Sequence, residues 1–235
     1  MGAKVGEIFR KLLEKNGVKF YMGASVEKAT ESNGRLSVHL KDGTVLEADL
    51  VIEGVGVKPA TEYLKGTPGL TLEKDGSLKT NESFEVEGLK DVYAIGDIAT
   101  YPYHGPGGDG KPVRIEHWNV AQNAGRSVAN SIAHPGAEAK PFIPVFWSAL
   151  GSQLRYCGNT MNGYDDVIIQ GDGEKPSFIA YYTQGDTVVA IASMGKDPYV
   201  MQGAELMRRK KMASKSDLEK GIDILEINLP SEIKI

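Results

Sequence analysis

Val92-Tyr93-Ala94-Ile95-Gly96-Asp97, with Thr80-Asn81 upstream, is the stretch on which the reading of this chain turns. Its apolar run predicts a short buried strand, and Gly96-Asp97 sets a carboxylate where that strand ends. Open α/β sheets bind ligands outside the carboxyl ends of their strands, and a glycine there lets a ligand approach the backbone. Asp97 is therefore a candidate ligand contact, although an aspartate in such a position also serves as a turn residue or helix cap.

On the N-terminal side, Val5, Ile8, Phe9, Leu12 and Leu13 recur at helical spacing and stop at Asn16-Gly17, which predicts a helix over 3–16. Val18 to Met22 reads as a short strand. Leu36, Val38 and Leu40 alternate with polar residues before Asp42-Gly43, so a hairpin is expected to continue through Thr44 to Leu46. The apolar centre of Ala48 to Gly54 suits a strand buried on both faces. Beyond it, a short helix over Thr61 to Lys65 and a turn at Asp75-Gly76 are expected. The Gly- and Pro-rich residues 99–113 read as a surface loop with no core of its own.

C-terminal to the deciding stretch, Val120, Ala121, Ala124, Val128, Ala129 and Ile132 mark a helix over 118–134 that ends at Pro135-Gly136. Strands are predicted at Arg155 to Gly158, Asp166 to Gly171, Ser177 to Thr183 and Thr187 to Met194. Gln184-Gly185-Asp186 joins the last pair as a hairpin. A helix from Pro198 to about Lys211 follows, with Asp197 as its N-cap and proline at its first position.

Composition narrows the function. Hydrophobic residues make up 41% of the 235 and charged residues 25%, a balance that supports a folded core. The net charge is −4, and the one basic run, Arg208-Arg209-Lys210-Lys211, closes a helical pattern where cations suit the dipole. Nucleic acid is excluded as a partner on that ground. No apolar run approaches the roughly 18 residues of a membrane span. Met1-Gly2-Ala3-Lys4 leads into an amphipathic helix rather than a signal sequence, so the chain reads as soluble and without a targeting segment. Cys157 is the single cysteine, which excludes an intrachain disulfide and a CxxC redox pair.

Three further segments carry candidate chemistry. Arg114-Ile115-Glu116-His117-Trp118 opens the 118–134 helix, where unpaired N–H groups and the positive dipole end favour an anionic partner. His117 there also suits a local cap, and Trp118 an ordinary core aromatic. Phe146-Trp147-Ser148 reads by composition as a hydrophobic anchor. Gly54-Val55-Gly56 permits close approach of a planar ligand or merely forms a tight exit from the preceding strand.

Thr80, Val92, Tyr93, Ala94, Gly96 and Asp97 together resemble the second flavin-binding fingerprint of FAD-dependent pyridine-nucleotide reductases. The chain as a whole is similar to the C-terminal half of proteins of the apoptosis-inducing-factor and ferredoxin-reductase type. Leu154-Arg155-Tyr156, Asp165 to Gly171 and Ala190 to Met194 resemble the subgroup that often carries a Rieske domain. The resemblance implies α/β and α+β architecture, with incomplete Rossmann-type segments for FAD and NAD(P)H followed by a β-rich reductase or dimerisation domain. The expected boundaries are 1–57 for the end of the NAD(P)H-binding domain, 58–139 for the second FAD segment and 140–235 for the C-terminal domain.

The same resemblance implies site roles. Asp97 accepts a hydrogen bond from the ribityl chain of FAD, and Gly96 makes room for it. The segment Glu116-His117-Trp118 lies against the isoalloxazine ring, the sequence leaving open which of the three side chains touches it; Trp147 shields the ring, and Gly54 and Gly56 sit beside the nicotinamide nucleotide. No side chain is assigned as catalytic and none as a metal ligand, because flavin itself accepts and passes on hydride equivalents. The implied activity moves hydride from NAD(P)H to FAD and then electrons to an iron–sulfur protein, a quinone or oxygen. A homodimer and a cytoplasmic or mitochondrial setting belong to the same expectation.

Neither G-x-G-x-x-G fingerprint is present; Gly2 and Gly6 open no strand-turn-helix unit with phosphate-binding spacing. The chain is therefore expected to begin inside the NAD(P)H insert and, alone, to hold FAD weakly or not at all. Its second reading is a truncated, non-catalytic interaction or dimerisation module. Exposed apolar surface on Ala48 to Gly54 and on Phe9, Leu12 and Leu13 is expected in either case.

Overall fold

The apolar stripe of the first turns forms α1 (Gly2–Glu14), and Gly17 in the left-handed region ends it at the predicted place. The structure, a computed structural model, describes residues 1–137, 139–149, 152–172 and 176–229. The chain forms two compact units, Phe9–Val57 and Met1–Ile8 with Lys58–Ile235.

In the smaller unit, β1 (Val26–Ser32), β2 (Arg35–Leu40) and β3 (Val45–Ala48) make an antiparallel sheet in that order. The Asp42-Gly43 turn holds as expected, with the Asp42 carboxylate accepting the Thr44 N–H at 2.9 Å. Two expectations fail. Val18 to Met22 forms no strand, and of Ala48 to Gly54 only Ala48 lies in one, as the last residue of β3; Leu50 and Ile52 are 72% and 85% exposed. The register explains the second failure: Ala48 already pairs with Leu36 near the start of β2, so the following residues have no ladder left to join. Apolar character alone supplies no hydrogen-bond partner. On α1, Phe9 is buried and Leu12 and Leu13 are half-buried, where exposure was expected.

The larger unit begins with α1's first residues. Lys4 Nζ donates to the Asp166 carboxylate at 3.2 Å and to the Val167 carbonyl at 3.0 Å, and the Tyr182 hydroxyl donates to the Met1 carbonyl at 2.8 Å. A 3-10 turn at Glu62–Leu64 stands in place of the expected short helix, and Gly76 takes the predicted turn. β4 (Leu78–Lys79) runs parallel to β5 (Ala99–Tyr103), which pairs antiparallel with β6 (Lys111–Val113).

This small sheet corrects two readings. Val92 to Ile95 is not a buried strand: only Tyr93 makes a bridge, to Glu85, while Val92 and Ile95 are 42% and 37% exposed. Residues 99–113 are not a coreless loop, because Ala99, Tyr101 and Tyr103 alternate inward along β5 and are buried. Tyr101 and Tyr103 pack with Phe84, Val113, Ala124 and Val128. Period-two tyrosines decided the matter over the neighbouring glycines and prolines. The helix α2 (Trp118–Ala133) buries Ala124 and Val128 in that cluster, and Val120 on it is buried too.

The C-terminal part is a five-stranded antiparallel sheet, in order β7 (Val145–Ala149), β8 (Gln153–Gly158), β11 (Thr187–Met194), β10 (Ser177–Gln184) and β9 (Asp166–Asp172). Four of these strands match the sequence reading, and β7 is additional. The helix α3 (Tyr199–Arg208) covers one face with Val200, Leu206 and Met207, all buried against Ile191, Ile179 and Tyr181. Each such side chain contributes about 1.5–3 kcal/mol. That outweighs the ~0.3–1 kcal/mol available from Arg208 at the dipole's negative end, so α3 is held by burial. Asp197 does not cap it; its carboxylate pairs with Arg155 instead. The helix α4 (Lys215–Glu219) carries a capping box between Ser214 and Asp217. No helix among the described residues is long and apolar enough to cross a membrane.

Gly158 ends β8 at φ +84°, and a Cβ there would lie 2.3 Å from the Val189 carbonyl oxygen. Left-handed backbone costs an L-residue about 1–2 kcal/mol, and main-chain atoms cannot step aside. Gly158→Ala is expected to lose about 2 kcal/mol or more, read as a lowered urea midpoint. An unchanged midpoint would contradict this account of the β8–β11 pairing.

Candidate functional site

Gly96 turns the chain at φ +73° into a single 3-10 turn, Gly96–Ile98, immediately before β5. A Cβ on Gly96 would meet Ala121 Cβ of α2 at 3.2 Å, so the glycine lets this turn lie close against the helix. Asp97 is exposed, and its carboxylate takes no hydrogen bond from the described residues. Its main-chain carbonyl accepts from Arg114 Nη1 at 3.1 Å. Among the described residues, then, no donor competes for the carboxylate.

Arg114 and Glu116 are tied together, since the Arg114 guanidinium also bonds the Glu116 carboxylate and, through Nε, Asp75 at 3.1 Å. Burial opposes the charge of Arg114, but the hydrogen bonds and charges of Glu116 and Asp75 together outweigh it and raise its pKa. Asp75 is held below the usual carboxylate range by the side-chain and backbone hydrogen bonds of Ser77, with Arg114 adding to them.

His117 is the N-cap of α2. Its Nδ1 accepts the Asn119 N–H at 3.1 Å, which leaves the proton on Nε2, 3.2 Å from the Trp147 carbonyl. A neutral imidazole thus caps the helix and bonds it to β7. The capping role read from the sequence is realised, and it uses up one of the N–H groups at the helix start. Around it, Trp118 and Trp147 meet edge to face at 5.3 Å, His117 lies 4.8 Å from the Phe146 ring, and Phe146 stacks on Tyr156 at 4.8 Å. Trp118 is 50% exposed and Trp147 37%, too open for ordinary core aromatics.

Gly96, Asp97, Glu116, His117, Trp118 and Trp147 thus fall within the larger unit, linked by Arg114, His117 and the tryptophan contact. Gly54 and Gly56 belong to the smaller unit, in open surroundings, with Gly56 at φ +98°. Beside Trp147 the larger unit holds a cleft of about 620 Å³ lined by Asn123, Arg126, Phe146, Arg155 and Arg208 among others. The sequence reading missed this cleft, and it quoted Arg114 without giving it a role. The pairing of Arg114 with Asp75 had no local signal, because the two lie 39 residues apart. Among the described residues no group of His, Cys, Asp or Glu could hold a metal ion.

Burial pushes the His117 imidazole below its ordinary 6.5, against the raising effects of the Trp147 carbonyl and the Asp97 charge. The unfolded chain therefore takes up the proton first, and the folded state loses stability as pH falls below 6.5. Urea midpoints between about pH 7.5 and 5 are expected to fall more steeply with acid for the unsubstituted chain than for His117→Asn, which caps without titrating. Equal slopes would contradict the neutral cap.

Residues 1–125 match the family model described as pyridine nucleotide-disulphide oxidoreductase, and residues 145–223 match the one described as reductase C-terminal. The chain is 37% identical to apoptosis-inducing factor 3 of Homo sapiens, over 93% of this chain and 36% of that one. It is 28% identical to monodehydroascorbate reductase 3 of Arabidopsis thaliana, over 96% of this chain and 49% of the relative. Among solved structures, the ferredoxin reductase for the CYP199A2 system from Rhodopseudomonas palustris superposes with a TM-score of 0.78 at 25% identity, covering 91% of this chain and 51% of that one. A covalent putidaredoxin reductase–putidaredoxin complex gives 0.77 at 27% identity, over 89% and 49%. The chain spans about half or less of the length of these relatives. The fold is of the ferredoxin-reductase kind, and the chain belongs to the pyridine nucleotide-disulphide oxidoreductase family.

Proposed function

We propose that this chain serves an FAD-dependent NAD(P)H oxidoreductase, one that passes hydride from NAD(P)H to FAD and electrons onward to an iron–sulfur protein, a quinone or oxygen. Within it the chain supplies the ribityl and ring side of the flavin site. The observation that carries this reading is the uncommitted Asp97 carboxylate on the Gly96 turn, packed against a helix whose start bears two half-exposed tryptophans. A flavin held there supplies hydride acceptance and one-electron release, which no side chain of this chain offers.

The residues fit that group. Asp97 accepts a hydrogen bond from a ribityl hydroxyl, and Gly96 keeps the turn low against Ala121 so the hydroxyl can reach it. Trp118 and Trp147 wall the ring and exclude water. The positive end of α2 favours negative charge on the ring edge, and the neutral His117 orients that helix start. Glu116, committed to Arg114, acts by holding that residue rather than by touching the ring. Gly54 and Gly56, in the smaller unit, are assigned to the nicotinamide nucleotide on the family resemblance alone. The domain reading of 1–57, 58–139 and 140–235 goes with this assignment.

The iron–sulfur carrier is favoured as acceptor by the reductases of ferredoxin and putidaredoxin among the structural relatives. The cleft beside Trp147 suits it, because Arg126 there bonds the neutral Asn123 and offers its charge to an acidic surface. A second reading, a non-catalytic interaction or homodimerisation module, draws on the exposed apolar stretch Leu50 to Val57. Ferricyanide reduction by NAD(P)H, in excess FAD and above the free-flavin background, separates the two, since the module gives none.

With no phosphate-binding fingerprint in the chain, FAD at one equivalent is expected to remain mostly free on gel filtration. At excess it quenches the tryptophans, and Asp97→Asn weakens that binding about tenfold, the worth of one charge-assisted hydrogen bond. A tightly bound yellow species at one equivalent, or an unchanged affinity in Asp97→Asn, contradicts the proposal.

A further inference from the structure

We infer that Arg114 is a positioning residue that pins the turn carrying Asp97, leaving the Asp97 carboxylate for ligand; the purpose of the clamp rests on the flavin reading above. One guanidinium reaches three segments: the Asp75 carboxylate through Nε at 3.1 Å, and the Asp97 main-chain carbonyl at 3.1 Å and the Glu116 carboxylate through Nη1. Arg114 is only 20% exposed, and its base is itself fixed. The Asp75 carboxylate accepts both the Ser77 N–H at 2.9 Å and the Ser77 hydroxyl at 2.7 Å, and that hydroxyl lies 2.8 Å from Thr100 Oγ1 on β5. A polar chain therefore runs from the strand, through the Glu73–Ser77 turn, to the carbonyl of Asp97.

The choice of acceptor is the informative feature. An arginine beside an aspartate ordinarily takes the carboxylate in a two-point bond. Here Arg114 takes the Asp97 carbonyl, one of the unpaired carbonyls that a short helical turn leaves at its end, and delivers its charge to Asp75 and Glu116. The turn is then held from two sides, by Arg114 at Asp97 and by Ala121 packed on Gly96. Its backbone is fixed, while the Asp97 side chain takes no hydrogen bond from the described residues. Lysine replaces this only in part, because a single ammonium lacks the flat fork that separates Nε from Nη1.

The test uses the whole chain and two readouts. Amide hydrogen exchange across Gly96 to Ala99 is expected to speed up about tenfold in Arg114→Gln, with partial recovery in Arg114→Lys, while the global urea midpoint moves little. Asp75→Asn is expected to loosen the same amides, and the double variant Arg114→Gln with Asp75→Asn to add little further, because both act through one bond set. Excess riboflavin, followed by tryptophan quenching, is expected to bind about tenfold more weakly to Arg114→Gln, with little further loss when Asp97→Asn is added. Unchanged exchange in both arginine variants overturns the clamp, as does full riboflavin affinity in Arg114→Gln where Asp97→Asn is weakened. If riboflavin quenches nothing in the unsubstituted chain, the flavin reading falls and the positioning role with it, whereas the exchange arm still reports separately whether the turn is clamped.

Discussion

The candidate site depends on where α2 begins, and one imidazole governs that. His117 accepts the Asn119 N–H and donates to the Trp147 carbonyl, so a single neutral ring both starts the helix and attaches it to β7. Trp118 follows from the first of these bonds and Trp147 from the second, which is why the two indoles meet edge to face. The Gly96 turn then lies against Ala121, one helical turn into the same element. Removing the cap would loosen three otherwise separate pieces of surface together, and burial of the ring makes acid the simplest way to do it.

Sequence patterning disclosed the elements whose hydrogen-bond partners are local or whose burial is one-sided. The α1 stripe, the Asp42-Gly43 hairpin, α2 and four C-terminal strands were legible for that reason. Tyr101 and Tyr103 were not, because glycines and prolines nearby drew the eye away from a two-residue period. Ala48 to Gly54 misled in the other direction: its apolar centre, Leu50-Val51-Ile52, is that of a central strand, but a strand needs a neighbour, and Ala48 already pairs near the start of β2. Asp197-Pro198 looked like a helix start, yet the carboxylate went to Arg155 on β8, a partner no local rule predicts.

The site was legible in kind rather than in geometry. Gly96-Asp97, Glu116-His117-Trp118 and Trp147 were candidates from their motifs and the resemblance those carried, and the family match agrees with that resemblance. What the pattern withheld was the division of labour. Glu116 is bound to Arg114, His117 is a cap and tether, and the Asp97 carboxylate and the two indoles are left exposed. Arg114 reaches Asp75 across 39 residues, a distance over which charge patterning carries no signal.

Comparing riboflavin with ADP as ligands of this chain tests the central claim most directly, with Trp118 and Trp147 as the fluorescent reporters. If the chain supplies the ribityl and ring side of the site, riboflavin in excess quenches their emission and FAD binds with much the same affinity, while ADP has no effect. Binding of ADP, or a large gain in affinity from riboflavin to FAD, would place the recognition on the diphosphate side and contradict the account.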